Sequence, residues 1–262
     1  MNNRFRSRGG LVVVAVLLAA LAGALMLWGG GAHLAVTAVR ADAGILYVDA
    51  SASSPAPDGL SWTTAFTELQ SALAVAMSGD QIWVAAGVYK PDFDPGSGAY
   101  SGYVTATFML TDGVQLYGGF SSGMISLTER LPEVHLTVLS GDLEGDDQTD
   151  ERHLITDTAY ISGTNTLHVV TALGVNDTAV FDGFFVTGGQ AIGVAPDNVG
   201  GGMWVVEASP RVANVTFIGN WAGSGGGMRT DNASPALVNV AFINNWAVSG
   251  GGMANLDGSS PT

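Results

Sequence analysis

The spacing of hydrophobic and polar positions changes character along this chain. Near the N-terminus the apolar residues run almost unbroken from Leu11 to Trp28, behind Arg4, Arg6 and Arg8. From residue 45 onward they come in short runs, "ILYV", "QIWVAAGVY", "VQLYGGF" and "TVLS", and in "RVANVTFIGN" they alternate, with Val215 and Phe217 set against Asn214 and Thr216. A period of two predicts strands with one face turned to a core. The segment 58–79 differs. There Phe66, Leu69, Leu73 and Ala76 fall on one face at helical spacing, with Thr63 or Thr64 as N-cap and Gly79 as the stop, so a helix is predicted.

The pattern then repeats as a whole. Residues 200–224, "GGGMWVVEASPRVANVTFIGNWAGS", match residues 225–249, "GGGMRTDNASPALVNVAFINNWAVS", at 15 of 25 positions without a gap, and a third "GGGM" opens at 250. Such periods point to a solenoid, in which each unit buries its apolar face only by stacking on the next. A propeller blade needs about 40 residues, and the leucine-rich frame is absent. A parallel β-helix remains, one 25-residue unit forming one coil. Stacking at equivalent positions predicts ladders along the axis: Phe217 over Phe242, Trp221 over Trp246, and Asn220 over Asn245. The two tryptophans could alternatively form a platform for a sugar ring.

"GGGM" followed by "FIGN" and "FINN" resembles the paired Gly-Gly-Ala-Ile and Phe-x-x-Asn repeats of chlamydial polymorphic outer-membrane proteins and related bacterial surface proteins. "TAVFDGFFVTGG" at 178–189 is similar to a strand-and-turn phrase of pectin-lyase-like β-helices, with Phe185 and Gly188 matched to Phe217 and Asn220. The order "YVDASA", "SWTTAF", "IWVAAGVY", "LYGGF" and "TVLSGD" resembles the opening of exported bacterial proteins of that fold. The resemblance covers residues 45–262 and implies an all-β, right-handed parallel β-helix with an N-terminal helical cap. It implies little chemistry.

The arginines followed by the apolar run have the order of a secretory signal, and Ala41-Asp42-Ala43 offers a small-residue cleavage site. Residues 1–43 are therefore expected to be a signal peptide or an uncleaved N-terminal anchor helix. Residues 44–262 are then the exported β-helix domain, with its cap near 58–79 and regular coils from about 200. The third repeat reaches "SSPT" at Thr262 without a capping element, so further coils and a C-terminal anchor are expected beyond it.

After Ala43 five basic and 22 acidic residues remain, a formal charge of −17. Nucleic acid, which needs a basic footprint, is excluded as an expected partner. A cationic partner or a divalent ion suits the charge better. The chain has no cysteine, so packing alone must stabilise an exported fold.

The densest acidic stretch is "SGDLEGDDQTDERH". Asp142, Glu144, Asp146, Asp147 and Asp150 could supply oxygens to Ca²⁺, which takes six to eight, although the spacing matches no calcium-loop pattern. A solvated loop is the other reading. If the chain is a polysaccharide lyase or glycoside hydrolase acting on acidic polysaccharide, Asp142, Asp146 and Asp147 are its expected catalytic carboxylates. Arg130 and Arg152 lie nearby in sequence, where a salt bridge would also account for them, and His168 in "TLHVV" reads as a hydrogen-bonded strand residue. The repeats and the scarcity of catalytic groups favour a non-catalytic module, secreted or on a cell surface. Its expected partner is a glycan or another surface component, and a membrane only through a terminal anchor.

Overall fold

The structure, a computed structural model, describes residues 43–262. The apolar segment Leu11–Trp28 and most of the expected cleavage site lie outside the described residues. Among the described residues no helix is long and apolar enough to cross a membrane.

The molecule is mostly β, with strands in parallel sheets and no closed barrel. Four parallel sheets are built by repeated passes of the chain. The first takes Ile45–Val48, Gln81–Ala85, Gln115–Phe120, Val180–Asp182, Arg211–Ala213 and Ala236–Val238, each paired to the next. The second takes Gly87–Tyr89, Thr137–Ser140, Phe185–Thr187, Thr216–Ile218 and Ala241–Ile243. A short third sheet holds Gln190–Ala191, Trp221–Ser224 and Trp246–Ser249. The fourth runs from Phe108–Met109 through Val170–Leu173, Met203–Val206 and Met228–Asp231 to Met253–Leu256. Every full pass visits the sheets in the same order, an arrangement compatible with a β-helix or solenoid.

The sequence repeat is also the pairing register. Met203 pairs with Met228 and Met228 with Met253, while Phe217 pairs with Phe242 and Trp221 with Trp246, always one repeat apart. Val215 and Phe217 are fully buried, whereas Thr216 and Asn214 keep solvent exposure, as alternation requires. Along the core, Phe217 and Phe242 stack at 5.3 Å between ring centroids, 11° from parallel.

Asparagines at the corners tie the coils together, Asn220 fully buried and Asn245 half-buried. Asn220 Nδ2 donates to Val186 O at 2.9 Å, and its Oδ1 accepts from Gly189 N–H at 3.0 Å. One coil on, Asn245 repeats the motif: Nδ2 donates to Phe217 O at 2.8 Å, and Oδ1 accepts from Asn220 N–H at 3.0 Å. Each amide thereby satisfies a backbone carbonyl and a backbone N–H at a corner where no strand can. The glycine triplets serve the same corner. Gly200, Gly225 and Gly250 all take positive φ, and a Cβ on Gly227 would lie 2.6 Å from Gly252 O and 2.6 Å from the Phe242 ring.

Two expectations require correction. Phe185 pairs with Thr216 and Val186 with Phe217, so Gly189, not Gly188, occupies the Asn220 position. The corner residues set this register: Gly183 and Asn214 both turn the chain at positive φ, and so do Gly188 and Gly219. Trp221 and Trp246 are in register as the repeat predicts, their planes meeting at 85°, edge to face. Finally, the helix is only Leu69–Val75, with Glu68 at its N-cap making no side-chain capping bond. Phe66 lies outside it and bridges to Val48, while Trp62–Thr64 form a separate 3₁₀ turn capped by Ser61. Leu69 and Ala72 are buried in the main core, against which Phe66, Leu73 and Ala76 also pack.

Replacing Asn220 by Ala strands two buried backbone groups, Val186 O and Gly189 N–H. The expected loss is about 2–4 kcal/mol in urea unfolding, the scale of two unsatisfied buried groups. A loss below about 1 kcal/mol would show that the asparagine ladder is not a principal tie.

Candidate functional site

The acidic loop leaves the second sheet just after Thr137–Ser140 and folds back so that Asp142 bridges Asn165. Asp142 is buried and organises the loop. Its Oδ1 accepts from Gly145 N–H at 2.6 Å and Asp146 N–H at 3.2 Å, and its Oδ2 from Asp147 N–H at 3.3 Å. Asp147 accepts from Ser162 N–H at 2.6 Å and from Asn165 Nδ2 at 2.7 Å. One oxygen from each of Asp142, Asp146 and Asp147 lies within 4.8 Å of the others.

Of the five expected ligands, only these three form a candidate metal group among the described residues. Glu144 accepts a hydrogen bond from Thr164 Oγ1 at 3.0 Å, and Asp150 is paired with Arg152 at 2.8 Å while also accepting from Leu154 N–H. The three oxygens could surround one ion at the 2.3–2.6 Å distances of calcium. A fourth oxygen lies close by: Asn165 Oδ1 is buried without a hydrogen-bond partner, although its Nδ2 holds both Asp147 and Gly188 O. An inverting glycosidase pair holds its carboxyl groups about 6.5–9.5 Å apart and a retaining pair about 5–5.5 Å; here one oxygen of each of the three carboxylates lies within 4.8 Å of the others, and both oxygens of Asp142 are engaged by backbone N–H groups.

Crowding shows in the titration of Asp147, whose carboxyl is pushed up to about 6. Burial is the largest cause, followed after the opposing Ser162 and Asn165 donors by the charges of Asp142 and Asp146.

A second feature lies beside the outer face of the second sheet. The loop between the Gln115–Phe120 and Thr137–Ser140 strands stands over that face and leaves a groove of about 540 Å³. Phe185, Thr216 and Ala241, from three successive coils, contribute one side, and Leu131, Pro132 and Val134 contribute the opposing loop wall. A polar rail follows the groove. Asn239 Nδ2 donates to Asn214 Oδ1 at 2.9 Å, and Asn214 Nδ2 donates to Asp182 Oδ1 at 2.9 Å. Arg130 ends the rail with a 2.7 Å ion pair to Asp182, its guanidinium 5.0 Å from the Tyr117 ring centroid.

Arg130 therefore belongs to this groove and not to the acidic loop. Asn214 and Asn239 were legible in sequence only as solvent-facing strand neighbours. Asn239 is the repeat equivalent of Asn214, as Asn245 is of Asn220, but only the structure shows the amide bond between the two. His168 lies two residues before the strand Val170–Leu173, buried against Trp204, with Nδ1 3.2 Å from Gly200 O. Burial lowers its pKa, so the imidazole is neutral at pH 7. Trp221 and Trp246 meet edge to face, with ring centroids 5.6 Å apart.

No protein-family model matches the chain, and no curated protein or solved structure matches it.

A raised carboxyl pKa destabilises the folded state once the group ionises. Well below 3.8, its ordinary value, Asp147 is protonated in both the folded and unfolded chain; as pH rises through that value the unfolded carboxyl ionises first, and the folded one follows at about 6. Relative to Asp147→Asn, wild-type stability is accordingly expected to fall between pH 4 and 7 in metal-free denaturation experiments. A constant or rising difference would contradict the crowded-carboxylate geometry.

Proposed function

We propose that this chain is an exported, non-catalytic binding module built as a right-handed parallel β-helix, and that the groove beside its second sheet holds a glycan segment of a cell surface or matrix. The observation that carries the reading is the rail Arg130–Asp182–Asn214–Asn239 beside an apolar wall. A sugar chain presents alternating hydroxyls and C–H faces, and such a site meets both. Side-chain amides can donate and accept at once, and coils spaced about 4.8 Å apart repeat the contact along an extended ligand. The helix Leu69–Val75 acts as the cap of the first coil, for which its burial of Leu69 and Ala72 in the core is the support. Arg4, Arg6 and Arg8 before the apolar run support export. The acidic loop serves as a structural Ca²⁺ site through Asp142, Asp146 and Asp147, supported by their converging oxygens.

The experiment incubates the full chain with a panel of neutral and acidic polysaccharides, with and without Ca²⁺, scoring retained protein and released products. Retention without products is expected, weakened at least fivefold by Asn239→Ala. Unsaturated or reducing-end products would overturn the non-catalytic reading, and retention indifferent to Asn239→Ala would remove the groove. Separately, millimolar CaCl₂ is expected to raise the thermal midpoint of the wild type and leave that of Asp147→Asn unmoved. An equal shift in both would contradict the loop site.

A further inference from the structure

A second groove, of about 500 Å³, lies at the other end of the stack of coils, between the helix Leu69–Val75 and the small antiparallel hairpin Phe93–Asp94/Ala99–Tyr100. Its walls are largely apolar, with Leu73 and Ala74 from the helix facing Pro91, Phe93 and Met109. Among the lining residues is one buried charge. Asp92 is 3 % exposed, and its Oδ2 accepts from Gly102 N–H at 3.1 Å, while its Oδ1 is buried with no hydrogen-bond partner. An ionised carboxylate withdrawn from water and left half unsatisfied is costly, and a donor of opposite charge relieves that cost.

No cation of the described residues supplies it. Arg130, Arg152, Arg211 and Arg229 are paired with Asp182, Asp150, Asp177 and Asp231. Lys90, two residues away in sequence, sends its ammonium to Leu143 O in the acidic loop. A charged neighbour, Glu68, makes the deficit worse. Burial first, and then the Asp92 charge, hold Glu68 above the usual carboxylate range even though Tyr100 Oη donates to it at 2.7 Å. The hairpin forming one wall has two residues per strand and is joined to no larger sheet. Gln70 Nε2 fastens its base by donating to Pro91 O and Thr107 O. Reaching Oδ1 requires the hairpin to shift outward, as Oδ1 is buried.

We propose that this groove is a binding site for a protonated primary amine carried on an apolar stem, its ammonium meeting Asp92 Oδ1 and its methylenes lying between the helix and the hairpin. A free alkylamine and a lysine side chain of a partner polypeptide share this chemistry. The surplus of 22 acidic over five basic residues after Ala43 draws either toward the surface. The site is independent of the glycan groove, so either assignment can fail without the other.

The test titrates the full chain with hexylammonium chloride and, separately, with acetyl-Ala-Lys-Ala-amide and its norleucine counterpart, following binding by NMR shift perturbation. Saturable binding of an amine-bearing probe is expected, with none by the norleucine peptide; response to the peptide alone would identify a polypeptide partner, and response to hexylammonium a free amine. Asp92→Asn, which keeps an acceptor for Gly102 N–H, is expected to weaken binding at least tenfold. Ala74→Trp on the exposed face of the helix fills the groove with the carboxylate intact, and is expected to do the same. Asp257→Asn, which removes one exposed charge in the last coil, should change it less than twofold. Absence of saturable binding by both amines, or equal binding by wild type and Asp92→Asn, would overturn the proposal.

Discussion

Everything described depends on coils meeting at the same register on every turn. Parallel strands can be joined only through long connections, and in the later coils each connection is itself two or three further strands of the same coil. A slip of one residue would turn Phe217 outward and Thr216 inward, so the core polices register within strands. At the corners the side-chain amides take over. Asn220 and Asn245 each donate to one neighbouring backbone carbonyl and accept from one backbone N–H, a pairing possible only when the two corners coincide. Hydrophobic burial supplies the driving force, and the amide ladder supplies the alignment.

The same constraint places the chemistry. Because strands must stack, departures from the repeat are pushed out between them, and the departures make the sites. The insertion after Gln115–Phe120 forms one wall of the first groove, and the one after Thr137–Ser140 carries the acidic loop. The hairpin after Gly87–Tyr89 forms a wall of the second groove. All three extra segments fall in the early, irregular coils. The regular coils contribute the repeating surface on which Thr216, Ala241, Asn214 and Asn239 line up.

Much of this was legible in the chain because a ladder is a periodic object. The 25-residue step gave strand register and the Phe and Asn ladders directly, and alternation identified the buried face. Legibility ended where periodicity did. Matching Phe185 to Phe217 put that coil one residue out, since residue type favours a phenylalanine there while the residue that pairs with Phe217 is Val186, in a register shared with the turns at Gly183 and Asn214. Ring orientation is likewise unwritten, and Trp221 meets Trp246 edge-on. The acidic loop was visible as composition. Asp142 nevertheless proved to be its organiser, because backbone N–H groups within the turn reach both its oxygens. Asp92 gave no signal at all, as its isolation comes from where the chain's few cations are used elsewhere.

In-register stacking of successive coils can be measured in solution without reference to function. The chain has no cysteine, so two introduced thiols can be spin-labelled cleanly. Arg211 and Ala236 are paired neighbours on adjacent strands of the first sheet, one repeat apart. With backbones about 4.8 Å apart, nitroxides at both positions should give strong dipolar broadening in continuous-wave EPR spectra, lost on unfolding in urea. A doubly labelled, folded protein whose spectrum is the sum of the two single labels would contradict the stacked-coil account.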